Sequence, residues 1–176
     1  MSGHNKWSKI KHKKGAEDAK KSKVFSKMSR LITAESKRVG GDTSSPTLAT
    51  IIETAKKENM PKDTIERAVK KGIESGTLAM DRVTYEAYGP GGVAIVIEAL
   101  TDNRNRTAPE LRHILSKRGL ELAAPGAATW AFTKQGNEWV ANQTMDLSDE
   151  DLESLSDLVD ALEENDDVQD VFTNAE

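Results

Sequence analysis

The chain has 176 residues, no cysteine and a formal charge of −4, which excludes disulfides and thiolate metal sites. No apolar run approaches the length of a membrane span, and the polar, basic start lacks the apolar core of a secretory signal; a cytoplasmic protein with no membrane partner is expected. The net charge hides a division. Met1 to Gly72 carries 18 Lys/Arg against 8 Asp/Glu, a formal +10, whereas Ile73 to Glu176 carries 7 against 21, a formal −14. A uniformly acidic surface would repel nucleic acid, but a basic lobe can hold phosphates while the acidic remainder stays off them.

Taken in chain order, Ser2 to Lys14 reads as an arm with no helical face, in which Trp7 and Ile10 are the apolar anchors. From Ala16 to Val39 a helix is expected, because Val24, Phe25, Met28, Leu31 and Ile32 recur at spacings of three and four. Gly40-Gly41-Asp42 stops it. A second helix spans about Pro46 to Glu58, with Leu48, Ile51, Ile52 and Ala55 inward. Pro61 suits the first turn of a third, which buries Ile65, Ala68 and Val69 and ends at Gly72.

After a connector through Arg82 the period changes. Val83–Tyr88 and Val93–Leu100 read as strands around the turn cluster Gly89-Pro90-Gly91-Gly92. Thr107-Ala108-Pro109-Glu110 reads as a capping box opening a helix with Leu111, Ile114 and Leu115. Thr129–Thr133 and Glu138–Ala141 pair as a hairpin. Ser148 caps a last helix with Leu152, Leu155, Val159 and Leu162 on one face, and Val168–Thr173 closes as a strand. From Val93 this is the split βαβ order, with Val83–Tyr88 added at a sheet edge. The expected fold is α+β: an amino-terminal three-helix bundle (1–76, with the arm) followed by a ferredoxin-like α/β sandwich domain (77–176).

Lys6, Lys9, Lys11, His12, Lys13 and Lys14, continuing into Lys20, Lys21 and Lys23, are the candidate nucleic-acid contacts. So dense a set of like charges becomes favourable when phosphates displace counterions. Neutralising Lys9, Lys11, Lys13 and Lys14 together is expected to flatten the salt dependence of binding. Trp7 could stack on a base, but the favoured reading makes it an anchor that packs the arm on the bundle. Arg104 and Arg106 precede a helix start, where anions are favoured; the plainer reading is a hydrogen-bonded turn with Asp102 pairing one arginine.

His4, His12 and His113 are too dispersed for a metal site, and no serine or carboxylate pair has a catalytic context. Gly89-Pro90-Gly91-Gly92 lacks a phosphate-loop ending. The acid-rich stretch from Asp146 onward, with 13 acids and no base, lacks the spacing of a calcium loop. No enzyme activity, metal, cofactor or small-molecule substrate is expected.

Several segments resemble the YebC/PmpR family. Gly3-His4-Asn5-Lys6-Trp7-Ser8-Lys9-Ile10-Lys11-His12-Lys13-Lys14 is similar to its opening GHSKWxxIKHxK, and Asn59-Met60-Pro61-Lys62-Asp63-Thr64-Ile65-Glu66-Arg67-Ala68 to NMPKDNIERA. Tyr85 to Ala94 resembles YEGYGPGGVA, Leu100 to Thr107 resembles LTDNRNRT, and Asp166 to Ala175 resembles DDVQNVYTNA. The resemblance spans the chain. It implies a cytoplasmic, non-catalytic transcriptional regulator that binds DNA through the basic arm and first helix, with Arg104 and Arg106 as weaker additions. It also implies, as an alternative, a ribosome-associated translation factor binding ribosomal or transfer RNA, since the family includes the mitochondrial translational activator of cytochrome c oxidase. A protein-interaction module with merely solvated lysines is a third reading. The sequence departs from the family pattern where typical members insert a third α/β domain before the last helix.

Overall fold

The computed structural model describes residues 6–11, 17–74 and 76–176. Among them are six α-helices: α1 (Lys6–Lys11), α2 (Glu17–Val39), α3 (Pro46–Lys57), α4 (Lys62–Ile73), α5 (Arg104–Ser116) and α6 (Asp149–Glu163). The strands are β1 (Asp81–Tyr88), β2 (Ala94–Thr101), β3 (Leu122–Ala123), β4 (Phe132–Gln135), β5 (Glu138–Ala141) and β6 (Val168–Thr173). No described helix is long and apolar enough to cross a membrane.

The chain divides into two compact units. One runs Gly15–Asp81; the other joins α1 to Arg82–Glu176. The helical unit is built as its periodicity predicts. Pro46 occupies the first turn of α3, where its missing N–H removes no bond. Asn59 ends that helix in the left-handed conformation (φ 60°), and the Met60 amide reaches back to the Ala55 carbonyl at 3.0 Å. Ile32, Leu48, Ala55, Met60, Ile65 and Ala68 form the core.

Helices α2 and α4 approach closely because the residues between them are small. The Thr33 hydroxyl donates to the Ala68 carbonyl (3.1 Å) and the Ser36 hydroxyl to the Val69 carbonyl (2.7 Å). A Cβ on Gly72 would lie 2.6 Å from the Ser36 Cβ and 2.7 Å from the Thr33 carbonyl oxygen. Gly72→Ala is therefore expected to destabilise the unit. Overpacking costs about 1–3 kcal/mol, against the roughly 1 kcal/mol by which alanine favours a helix over glycine. A lower midpoint in thermal unfolding checks this.

In the second unit a four-stranded sheet has the order β3-β1-β2-β6. Strand β2 is central and buried along nearly its whole length. Ile95 and Ile97 face the helical layer, where they meet Leu111 and Leu115 of α5 and Leu152, Leu155, Leu158 and Leu162 of α6. Ala94 and Val96 face the other way, onto Ala128, Ala131 and Phe132.

The architecture is the expected α+β one, with three helices before a sheet unit. Strand placement differs. Val83–Tyr88 lies inside the sheet, between β3 and β2, and not at its edge. The expected hairpin forms, but β4 and β5 make their own two-stranded sheet, antiparallel from Phe132↔Ala141 to Gln135↔Glu138. That hairpin covers the β2 face opposite the helices, with Trp139 and Ala141 packed on the second core. Burying β2 on both faces requires such a cover, and a lone four-stranded sheet with helices on one side has none.

The arm differs as well. Lys6–Lys11 is helical, and it belongs with the sheet unit, whereas the sequence placed it with the bundle. Six residues cannot hold a helix alone. Trp7 and Ile10, three apart, turn one face onto the core of the sheet unit, and Trp7 is 9% exposed.

Candidate nucleic-acid interface

The predicted basic residues fall in both units. Lys6, Lys9 and Lys11 lie on α1 of the sheet unit, and Lys20, Lys21 and Lys23 lie near the start of α2 in the helical unit. His12, Lys13 and Lys14 lie outside the described residues. Lys20 and Lys21 are exposed, and Lys23 is half-buried.

Helix α1 rests on α6, and exposed Lys6 pairs with exposed Asp149 at 3.6 Å. The acid-rich helix thus sits beneath part of the basic arm. Ser148 caps it by accepting from the Asp151 amide at 3.1 Å, and Asp149, Glu150 and Asp151 occupy its first turn, where the helix dipole favours anions. Trp7 does act as an anchor, but on this unit's core. Its burial leaves little ring surface for a base.

The segment Thr101–Thr107 is a closed network. Asp167, 2% exposed, accepts from Thr101 Oγ1 (3.1 Å), Thr107 Oγ1 (2.6 Å) and Arg106 Nη2 (2.8 Å). Arg106 also donates to Asp102 at 3.0 Å. Hydrogen bonding to Asp167, and then its charge, hold the Arg106 guanidinium above its ordinary pKa against the cost of burial. Arg106 is thereby committed to two carboxylates. Arg104 opens α5; its field opposes the burial that pushes the Tyr85 phenol up.

The capping box at Thr107 does not form. Helix α5 begins three residues earlier, with Asn103 accepting from the Asn105 amide at 3.0 Å. Thr107 turns inward to Asp167, and Pro109 lies inside the helix. The predicted turn of Gly89–Gly92 is a turn: Gly91 has φ 67°, and a Cβ there would meet Leu147 at 2.6 Å.

Sequence reasoning missed Glu86. Its buried carboxylate accepts from the backbone amides of Gly126 (2.7 Å), Ala128 (2.7 Å) and Thr129 (2.8 Å). Burial pushes its pKa up, but these amides outweigh burial and hold it below the ordinary value. They fix the loop leading into Trp130, whose indole donates to the Tyr88 hydroxyl at 2.9 Å. Among the described residues no group of three or more His, Asp or Glu is placed to hold a metal.

The fold and charge define a two-unit protein: a lysine-bearing helical bundle and an acidic α/β sandwich. The chain belongs to the TACO1/YebC family. The model of the TACO1/YebC protein N-terminal domain matches residues 5–75, and that of the TACO1/YebC second and third domain matches residues 80–137 and 133–175. It is similar to proteins named "Probable transcriptional regulatory protein". The one from Petrotoga mobilis is 51% identical over 85% of this chain and 61% of its own length; that from Fervidobacterium nodosum is 47% identical over 96% and 68%. The chain thus spans about three-fifths to two-thirds of the length of these relatives. A crystal structure of a conserved hypothetical protein from Aquifex aeolicus matches with a TM-score of 0.83 at 33% identity, over 97% of this chain and 96% of that one. The relatives' names are those of regulators.

Proposed function

We propose that this chain is a DNA-binding transcriptional regulator that grips the phosphate backbone with Lys6, Lys9, Lys11, His12, Lys13, Lys14, Lys20, Lys21 and Lys23. Arg104 is a lesser addition, and Arg106 serves Asp167 instead. The observation that carries this reading is the segregation of charge in a chain whose relatives bear a regulator's name. Lysines at 20, 21, 23 and 27 crowd the amino-terminal half of α2. Lysine dominance suits contact with the backbone more than reading of base edges. The acids of α6 keep the sheet unit beyond α1 from adding nonspecific grip.

Crosslinking in cells, followed by sequencing of the bound DNA and RNA, tests this. Enrichment of a set of promoter duplexes is the expected result. Enrichment of ribosomal RNA without promoters would replace it with the translation-factor reading.

A further inference from the structure

Helix α2 packs against both α3 and α4, whereas α3 and α4 touch each other little. Between them an open cavity of about 570 Å³ is walled by Ile52, Met60, Ile65, Val69 and Ile73. Ile73 is 56% exposed, a large apolar side chain in water beside other aliphatic groups. At the mouth stand Lys56, Lys62 and Lys70 against one acid, Glu66. Lys56 pairs with Glu53 at 2.7 Å and Lys62 with Glu66 at 3.6 Å, all on exposed side chains. Such pairs contribute little and exchange readily for others.

We propose that this groove docks an acidic amphipathic helix of a partner protein. A wedge between two helices that share a third is shaped for a fourth, whose side chains at spacings of three and four would fill it. The ammonium groups around the mouth select carboxylates on the flanks of that helix. The walls are aliphatic and offer no ring for a nucleobase. The chain's own acid-rich α6 cannot be supplied by a second copy, because its Leu152, Leu155, Leu158, Val159 and Leu162 are buried in their own core.

The probe is a fluorescent helical peptide of about five turns, with leucines at spacings of three and four and glutamates on the flanks. A second peptide carries lysines on the flanks instead. Anisotropy titrations against the full chain are expected to show the acidic peptide binding about tenfold more tightly than the basic one, and Ile73→Asp weakening it by about tenfold. Because Ile73 is exposed, that variant keeps the core intact. Changing Lys56, Lys62 and Lys70 together to glutamate is expected to reverse the preference, which loss of fold would not do. Equal binding of the two peptides, or a preference that survives the reversed rim, overturns the proposal. So does a dimer of the parent chain that Ile73→Asp converts to monomer, since the groove would then belong to a second copy.

Discussion

Asp167→Ala is expected to cost about 1–3 kcal/mol of unfolding free energy, the loss typical when buried donors are left without their acceptor, since Arg106, 42% exposed, stays in contact with water and keeps Asp102. Arg106 would lose its main acceptor, and the hydroxyls of Thr101 and Thr107 would lose the carboxylate they share. Those three residues come from the end of β2 and the first turn of α5, and Asp167 immediately precedes β6. One carboxylate therefore joins three elements. Asp167→Asn keeps the shape and one acceptor oxygen, and a smaller loss is expected. Urea denaturation of the three proteins gives the ranking; an alanine variant as stable as the parent would show that the network contributes nothing.

Glu86→Ala is expected to cost about 3 kcal/mol or more, since hydrogen bonds to a charged acceptor contribute about 1.5–3 kcal/mol each. Glu86→Gln is milder, because its amide oxygen still accepts, although its nitrogen cannot and one oxygen is left to serve three amides. The effect depends on pH in a defined direction. The folded-state pKa is lowered, so the contribution is complete above the ordinary glutamate value of 4.5 and is lost as pH falls through the lower folded value. Stability of the parent relative to Glu86→Gln should shrink on acidification through that range. Hydrogen exchange at Gly126, Ala128 and Thr129 should quicken in the variants. Unchanged exchange there would remove the carboxylate from its assigned role.

The helices of the first unit were legible because each buries one stripe, and a stripe is written locally. Leu48, Ile52 and Ala55 in α3 and Ile65, Ala68 and Val69 in α4 repeat at three and four. What escaped depends on partners distant in sequence. Trp7 became an anchor of the sheet unit by packing on residues far along the chain. Thr107 has the form of a capping residue, and only Asp167, sixty positions later, draws it inward. Glu86 binds backbone amides, which every residue but proline has, so no residue type announces it. Two-residue β3 is too short for any alternation. Of the candidate interface, the lysine cluster was visible in composition; its division between two units, with Lys6 against Asp149, was not.

The central claim is that the lysines of the front segment exist to neutralise phosphates. Binding of the full chain to duplex DNA, followed across about 50–200 mM salt, tests it most directly. The logarithm of affinity should fall linearly with the logarithm of salt. Changing Lys9, Lys11, Lys13, Lys14, Lys20 and Lys21 to glutamine should flatten that line by about 0.9 for each phosphate no longer neutralised. A parent protein that binds neither DNA nor RNA at low salt, or a variant with an unaltered slope, would contradict the claim.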